Sequence, residues 1–281
     1  MGGCGYVGSA LVPHLSSSGH DLTVVDLLER GNPSGMPCLQ REYSSLDADF
    51  LQAFDVLVLL AGHSSVGACS QDESGAIQNN VVGLQRILSN IGETPLVYAS
   101  SGSVYDGTRS SLATEFDAIS PARNMYDLTK VVGDQIAALS KKQYFALRFG
   151  TVSGFAPNLR PELLINKMSR DGFLHGAVSV ANPIANRAVL GIGDLCSAIE
   201  SVVRLPDSEP GVYNICSENV TMLEAAERIA CVTDAEIVAL PDSPTYDFSM
   251  SVDRFSREFG WAPSETIETL CLGLAPSAGN P

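Results

Sequence analysis

The sequence has 281 residues, which is near the upper size of a single hydrophobic core, about 250–300 residues. Hydrophobic residues make up 45% of it, which excludes a disordered chain, and the net charge of −15 argues against nucleic acid or an anionic membrane as the main partner. The seven scattered cysteines and four histidines show no metal-ligand spacing and indicate free thiols, so we expect a cytoplasmic protein without a metal site. The most apolar run, residues 56–60, is far shorter than the ~20 residues of a membrane span.

Helices and strands alternate through the first half of the chain. In order, the sequence predicts a helix over 6–18, a strand over 22–25, a short strand near Leu39, a helix over 46–54, a strand over 55–61, a helix over 71–91, a strand over 95–99, a helix over 123–141 and a strand over 144–149. Strands separated by helices predict a doubly wound parallel (Rossmann) α/β sheet.

After residue 151 the chain becomes richer in Gly, Pro and Asn, and its predicted elements are shorter. They are helices near 161–170 and 192–204, a strand at 212–215, and a helix opened by a capping box at Thr221. This pattern predicts a smaller α+β substrate lobe interleaved with the first domain. We expect residues 1–152 and about 183–206 to form the Rossmann domain, and about 153–182 and 207–281 the smaller lobe.

Residues 2–8 read Gly-Gly-Cys-Gly-Tyr-Val-Gly and directly precede the first predicted helix. Glycines at 2, 5 and 8 permit a tight turn and a close approach to a pyrophosphate, which the first amides of the helix would face. The strand that should lead into this loop is missing from the sequence. We therefore expect the first strand to be truncated, with a few more apolar residues before Met1 in the native product.

Asp26 lies eighteen residues after Gly8, at the end of a predicted strand. A carboxylate there can accept both hydroxyls of an adenosine ribose and would repel a 2′-phosphate, which favours NAD over NADP. An ordinary turn aspartate is the alternative, and Arg30 nearby weakens the preference.

Tyr126 and Lys130 are four residues apart and share one face of a predicted helix. A tyrosine that acts as a base near neutral pH needs its pKa lowered from ~10, and an adjacent ammonium favours that change. Ser101 follows the strand at 95–99, at the edge of the sheet where ligands bind in this fold class. Considered one at a time, these residues have ordinary explanations that fit equally well or better. Tyr126 and Lys130 could be a surface pair, and Ser101 could belong to a hydroxyl-rich turn.

In combination, these elements resemble the extended short-chain dehydrogenase/reductase family, and within it the NAD-dependent sugar-nucleotide epimerase/dehydratase group. The resemblance covers nearly the whole chain: residues 2–9 are similar to the cofactor loop, 98–105 to the catalytic-serine segment, 126–130 to the active-site helix and 147–149 to the strand that follows. It implies an NAD cofactor, a nucleotide-sugar substrate, a homodimer, and catalysis by Ser101, Tyr126 and Lys130.

The resemblance also implies a set of binding residues. Those expected at the cofactor are Gly2, Gly5, Tyr6, Val7, Gly8, Asp26, Ser45, Leu46, Leu60, Ala61, Gly62, Ser64, Asn79, Tyr126 and Lys130. Those expected at the substrate are Ser101, Thr151 and Arg187, the last as a clamp on phosphate. His63 is interpreted as a loop histidine without a chemical role.

The sequence departs from the family pattern at four places. Thr151 occupies a common asparagine position that contacts substrate. Gly102 and Ser103 stand where dehydratases carry an Asp-Glu pair, which disfavours elimination and decarboxylation. Asp106 replaces a usual glycine, and Tyr246 and Asp247 occupy the region of a second phosphate-binding arginine, which leaves the sugar nucleotide open. The sequence therefore predicts an NAD-dependent nucleotide-sugar epimerase that oxidises C4 transiently and re-reduces it on either face. A reductase or dehydrogenase of the same fold, and a non-catalytic cofactor-binding protein, are the alternatives.

Overall fold

The computed structural model describes residues 1–108 and 111–276. Residues 109–110, and residues 277–281 at the end of the predicted smaller lobe, lie outside the described residues. The elements of the first half are α1 (Tyr6–Ser17), β1 (Val24–Asp26), β2 (Cys38–Gln40), α2 (Ala48–Leu51), β3 (Leu57–Leu59), α3 (Val66–Gln71), α4 (Glu73–Ala76), α5 (Leu84–Asn90), β4 (Leu96–Ser101), α6 (Met125–Ser140) and β5 (Tyr144–Phe149).

The second half has shorter strands between its helices. They are β6 (Thr151–Ser153), α7 (Leu164–His175), β7 (Ala177–Val180), β8 (Asn186–Gly191), α8 (Ile192–Arg204), β9 (Gly211–Ile215), β10 (Glu218–Thr221), α9 (Met222–Thr233), β11 (Glu236–Ala239), α10 (Asp253–Phe259) and α11 (Ile267–Gly273).

The main sheet is parallel and has the strand order β3-β4-β5-β9. Alternate residues of each strand pack in the hydrophobic clusters on opposite faces of the sheet, because successive side chains of a strand point to opposite faces. Val97 and Phe145 pack on one face with side chains of α1, α8 and α10. Leu96 and Ala146 pack on the other face with side chains of α5 and α6. Helices on both faces of a parallel sheet confirm the predicted α/β Rossmann fold.

Two residues connect the main sheet to the parallel pair β1-β2. Gly2 N donates to Val25 O at 2.8 Å, and Leu60 N donates to Met1 O at 2.9 Å. A cavity of about 120 Å³ lies beside them, lined by residues that include Leu11 of α1 and Leu57 of β3. Met1 and Gly2 thus occupy the position of a strand between β1 and β3. The expected truncation of that strand stays a prediction.

The predicted helix over 71–91 is interrupted in the structure. The chain forms α3 and α4, then a π-helical stretch over Ile77–Gly83, then α5. Ser65 caps α3 by accepting from Ala68 N, and Asp72 caps α4 by accepting from Gly75 N. Because Asp72 offers a cap to a new helix, the backbone breaks there. The break matters for the site, since the π-helical stretch carries Asn79 and Asn80.

The smaller lobe contains two further sheets. One has the order β10-β8-β6, and β11 and β7 form a parallel pair. The sequence predicts no strand at β8, which pairs with β10 and β6 and lies within residues 183–206, the segment expected in the Rossmann domain. Conversely, β9 lies in the segment assigned to the smaller lobe, yet it pairs with β5 in the main sheet. The division of the chain into two domains stays a prediction.

Candidate active site

The glycine loop packs so closely that side chains are excluded. Gly2 has φ +80°, and a Cβ there would lie 2.4 Å from Ala61 N. A Cβ on Gly8 would lie 2.3 Å from Gly2 O and 2.6 Å from Gly3 Cα. Gly5 is the N-cap of α1 and has no side chain to cap the free amides of the first turn. The N-terminus of α1 therefore presents free backbone donors, as an anion-binding loop requires.

Tyr6 and Val7 follow the loop in the first turn of α1. The Tyr6 side chain is buried, and its hydroxyl donates to Gly154 O at 2.6 Å and accepts from Asn166 Nδ2 at 3.1 Å. Burial raises the pKa of Tyr6 to about 12, so the phenol stays neutral. The Tyr6 side chain thus fixes α1 to the chain beyond β6. Only its backbone is left for the predicted pyrophosphate contact.

Asp26 ends β1 beside the glycine loop. Its Oδ2 accepts from Cys4 N at 2.9 Å, and its Oδ1 accepts from Leu28 N at 2.8 Å. Each carboxylate oxygen can accept a further bond, because an ionised carboxylate offers about four lone-pair sites. The residue lies where the sequence predicts a ribose acceptor, directly against the loop.

The loop after β3 is fixed by an asparagine that the sequence analysis missed. Asn80 Oδ1 accepts from His63 N at 2.8 Å, and its Nδ2 donates to His63 O at 3.0 Å and to Thr129 Oγ1 at 3.1 Å. The predicted bracing residue, Asn79, has one weaker contact, 3.3 Å between its Nδ2 and His63 Nδ1. Asn80 therefore ties the segment of Leu60, Ala61, Gly62 and Ser64 to α6.

Four predicted binding residues have contacts or pairing within the chain. Leu46 is 2% exposed and packs in the core below β3, so it could offer a ligand only its backbone. Ser45 donates its hydroxyl to Glu42 O at 2.7 Å. Thr151 opens β6, which pairs with β8. Ser64 accepts from Arg160 Nη1 at its backbone and hydroxyl oxygens, at 3.3 and 3.2 Å.

Ser101, Tyr126 and Lys130 meet at the carboxyl end of β4. Ser101 is the last residue of that strand, while Tyr126 and Lys130 lie in the first turns of α6. The Lys130 ammonium donates to Ala99 O at 2.8 Å and lies 5.5 Å from the centre of the Tyr126 ring. Asn124 starts α6 at this position by accepting from Asp127 N at 2.9 Å.

The electrostatics of the three residues follow from their burial. Burial raises the pKa of Tyr126, and a hydrogen bond with Ser101 acts in the opposite direction. Burial lowers the pKa of Lys130 to about 8. Without a further positive charge beside it, the phenol is therefore protonated at neutral pH.

Arg187 lies on β8 at the far side of the site and is 6% exposed. Its Nη2 donates to Thr245 Oγ1 at 2.6 Å, its guanidinium lies 5.9 Å from the centre of the Tyr246 ring, and its Nε has no partner among the described residues. Burial lowers the pKa of Arg187, and Asp106 and Asp247 oppose that shift. An unsatisfied buried donor is costly, so Arg187 has capacity to bind an anion.

These observations fit a dinucleotide cofactor. The crowded glycines leave room only for backbone at the loop, and α1 presents free amides. Asp26 ends β1 beside the loop, and Lys130 donates to Ala99 O of β4. Among the described residues, no group of three His, Cys, Asp or Glu side chains could hold a metal ion. Within residues 1–108 and 111–276, no helix is long and apolar enough to cross a membrane.

Several residues of the site carry no local signal in the sequence. Asn80, Asp127 and Tyr246 gain their positions through contacts far apart along the chain. Asp127 accepts hydrogen bonds from Ser103 and Tyr246, which come from β4's following turn and from the segment after β11. Only the aspartate directly after Tyr126 could have drawn attention, because a charged residue there lies next to the predicted base.

The fold and the site define a Rossmann-type enzyme that binds a dinucleotide. Residues 1–216 match the model of the NAD dependent epimerase/dehydratase family. The chain belongs to this family, which confirms the family prediction and the NAD cofactor.

Known relatives carry out more than one reaction. A UDP-glucose 4-epimerase of Lactobacillus helveticus is 28% identical over 61% of this chain and 60% of its own length, so the match spans less than two thirds of that relative. A probable dTDP-glucose 4,6-dehydratase of Sinorhizobium fredii is 25% identical over 95% of this chain and 88% of its own length. The solved structure of MoeE5 in complex with UDP-glucuronic acid and NAD has a TM-score of 0.83 at 23% identity, over 97% of this chain and 95% of MoeE5. These comparisons give the fold and the family, and they include both epimerases and dehydratases.

Proposed function

We propose that this protein is an NAD-dependent epimerase of a nucleotide-diphosphate sugar, which oxidises one carbinol carbon, C4, and re-reduces it on either face. The proposal rests on which side chains lie at the carboxyl end of β4. Ser101, Tyr126 and Lys130 meet there, while Gly102 and Ser103 place no carboxylate next to Ser101. The buried Asp127 is 3% exposed, and it is occupied by protein donors instead of facing a substrate.

The chain's own residues would handle the proton of the sugar hydroxyl. Tyr126, as the phenolate, takes that proton and later returns it. Ser101 holds the sugar oxygen, and the Lys130 ammonium favours the phenolate. NAD⁺, when bound, supplies the acceptor for the hydrogen on the carbinol carbon and a positive charge near the phenol. General acid–base assistance of this kind contributes ~10²–10⁴-fold.

The substrate's nucleotide diphosphate would bind at Arg187. Its unpartnered Nε and its buried guanidinium suit a phosphate oxygen, and the planar fork matches phosphate geometry. Thr151 and Tyr246 stand at two positions where the family pattern differs, so the identity of the sugar is left to experiment. Homodimer formation and a cytoplasmic location stay predictions.

The experiment that tests the proposal separates an epimerase from a reductase. The purified protein is denatured and its released nucleotide is identified by mass, and the native protein is incubated with nucleotide sugars without added cofactor. We expect retained NAD and conversion between epimers with no net change in NADH absorbance. Stoichiometric consumption of added NADH would show a reductase, and a 4-keto-6-deoxy product would show a dehydratase.

A further inference from the structure

A chain of hydroxyl groups leads from Ser101 to a buried carboxylate. The oxygens of Ser101 and Ser103 lie 2.8 Å apart, and Ser103 Oγ lies 2.6 Å from Asp127 Oδ1. Asp127 is 3% exposed, although aspartate is rarely buried unless its charge is satisfied. Asp127 directly follows Tyr126 in the sequence, so this row of hydrogen-bonded groups starts and ends next to the proposed base.

The directions of these hydrogen bonds are fixed by Asp127. An ionised carboxylate only accepts, so Ser103 must donate its single hydroxyl proton to Asp127. Ser103 can then only accept from Ser101, whose proton is thereby used. Ser101 Oγ also accepts from Ser103 N at 3.2 Å, which leaves one lone pair. Tyr126, the hydrogen-bond partner of Ser101 on its other side, takes that lone pair, so the phenol donates while Asp127 is ionised. The same contact lowers the pKa of Tyr126 when Ser101 turns its proton towards the phenolate.

The carboxylate is held in place by groups from several elements. Asn124 Nδ2 donates to Oδ2 at 2.6 Å, and the Tyr246 hydroxyl lies 3.0 and 3.2 Å from the two oxygens. The titratable or charged side chains that face it are Tyr126, Tyr246, Asp106 and Cys69, with Arg187 behind the Tyr246 ring.

We propose that Asp127 is a positioning residue that generates the Tyr126 phenolate through Ser101 and Ser103. The inference rests on the proposed function for its catalytic consequence. Three protons move in one direction: from Tyr126 to Ser101, from Ser101 to Ser103, and from Ser103 to Asp127. Three O–H bonds break and three form, so a phenol and a carboxylate become a phenolate and a carboxylic acid. The net charge does not change, and no other reactant is needed.

In the protein without cofactor, burial favours this proton transfer at Asp127 and opposes it at Tyr126. Burial raises the pKa of Asp127 and Asp106 adds to the effect, while the hydrogen bonds from Ser103, Tyr246 and Asn124 lower it. The pKa on balance lies above its usual value, so the carboxylate accepts a proton more readily than an exposed one. Burial also raises the pKa of Tyr126, which holds the proton on the phenol until a positive charge arrives. The transfer is therefore expected on binding of NAD⁺, and it leaves Ser101 donating to the phenolate.

An infrared experiment without substrate tests the transfer directly. Retained NAD is first removed from the wild-type protein, NAD⁺ is then added back, and the carbonyl band of a protonated carboxylic acid is recorded as a difference spectrum. We expect the band in the wild type and its loss in Asp127→Asn, Ser103→Ala and Tyr126→Phe. Ser100→Ala is the matched control, because the neighbouring Ser100 hydroxyl has no partner among the described residues. A wild-type spectrum without the band, or a band that Ser103→Ala leaves unchanged, would overturn the proposal.

Turnover provides the second readout. When the row of hydroxyl groups is broken, the phenol must lose its proton to solvent. Asp127→Asn and Ser103→Ala should therefore lower kcat at neutral pH by roughly 10²-fold. They should recover part of the loss as pH rises towards about 8, where Lys130 loses its charge. Ser100→Ala should keep the wild-type pH profile. Broken-chain variants with a wild-type profile would contradict the proposal. If the wild type converts no nucleotide sugar, the proposed function fails and the infrared result alone decides the relay.

Discussion

Lys130 is a predicted catalytic residue whose ionisation changes close to neutral pH. Its ammonium is buried between β4 and α6, and burial lowers its pKa to about 8. Below that pH it is protonated and favours the Tyr126 phenolate, and above it the positive charge is lost. The kcat/KM of the wild type should therefore fall as pH rises through about 8.

The pH profile of Lys130→Arg checks this assignment. Arginine stays charged, so the alkaline limb should move to higher pH even if the maximum rate is lower. Lys130→Met should have a lower rate, and its pH profile should lack the alkaline limb. An alkaline limb that stays near pH 8 in Lys130→Arg would assign the titration to another group.

The two neighbouring asparagines give a matched pair of variants. Asn80→Ala removes three side-chain hydrogen bonds, two of them to the His63 backbone, and should lower the free energy of unfolding by about 1–3 kcal/mol and weaken NAD binding. Asn79→Ala removes one long contact and should change both quantities less. Calorimetry and NAD titration would measure the difference, and a larger effect of Asn79→Ala would restore the sequence prediction.

At the residue scale, local sequence patterns predict the reactive side chains but not the residues that hold them in place. Tyr126 and Lys130 are predictable because helical spacing places them together. Asn80 and Asp127 are not, because Asn80 acts on a loop 17 residues away and Asp127 accepts from Tyr246, 119 residues away. Sequence spacing carries no information about such contacts.

Among the elements, the glycine loop and the start of α1 have the least tolerance for change. Gly8→Ala would place a methyl group against Gly2 and Gly3 backbone atoms, which real Cβ atoms do not approach so closely. Because backbone cannot yield as a side chain does, we expect a loss of roughly 1–3 kcal/mol or more in unfolding free energy, together with weaker NAD binding.

Gly67 in α3 provides the control for that variant. A Cβ at Gly67 meets nothing within 4 Å, so Gly67→Ala should be neutral or should stabilise α3 by up to about 1 kcal/mol. Thermal unfolding and NAD titration of both variants would test the contrast. Equal behaviour of the two variants would contradict the close packing of the loop.

Residues 66–90 form several short helices, a division that the sequence pattern does not predict. The sequence predicts one helix over 71–91. The caps at Ser65 and Asp72 and the π-helical stretch Ile77–Gly83 divide it instead. The π-helical stretch presents Asn80 to the His63 backbone, so a tertiary contact accompanies the irregular geometry.

At the scale of the whole molecule, a buried ion pair joins the sheet to the active-site helix. Arg148 of β5 donates to Asp134 of α6 at 2.9 Å, and Tyr98 of β4 donates to the same carboxylate at 2.8 Å. Both charged residues are 4% exposed. Removing one partner leaves an uncompensated buried charge, so Asp134→Ala should lower unfolding free energy by about 3–5 kcal/mol.

A surface ion pair serves as the comparison for Asp134→Ala. Lys167 and Asp171 are paired four residues apart on α7 and are partly exposed, so Asp171→Ala should change stability by less than about 1 kcal/mol. Urea unfolding of the two variants measures both values. Similar losses would show that the Asp134 network does not hold α6 against the sheet.

The fold as a whole was more predictable than its division into parts. Alternating strands and helices are a local property, and they gave the parallel sheet. The pairing of β8 with β10 and of β9 with β5 joins distant segments, and sequence patterns carry no information about such pairings. The domain boundaries near 183 and 207 stay predictions.

The central claim is that this site interconverts epimers by proton transfer at Tyr126. The most direct measurement is NMR of the anomeric protons after incubating the protein, without added cofactor, with UDP-glucose, UDP-galactose and the corresponding dTDP sugars. We expect one pair to reach the same epimer ratio from either side, and Tyr126→Phe to remain folded with a rate lower by roughly 10²–10⁴-fold. No epimer from any of these sugars, or an undiminished rate in Tyr126→Phe, would contradict the account.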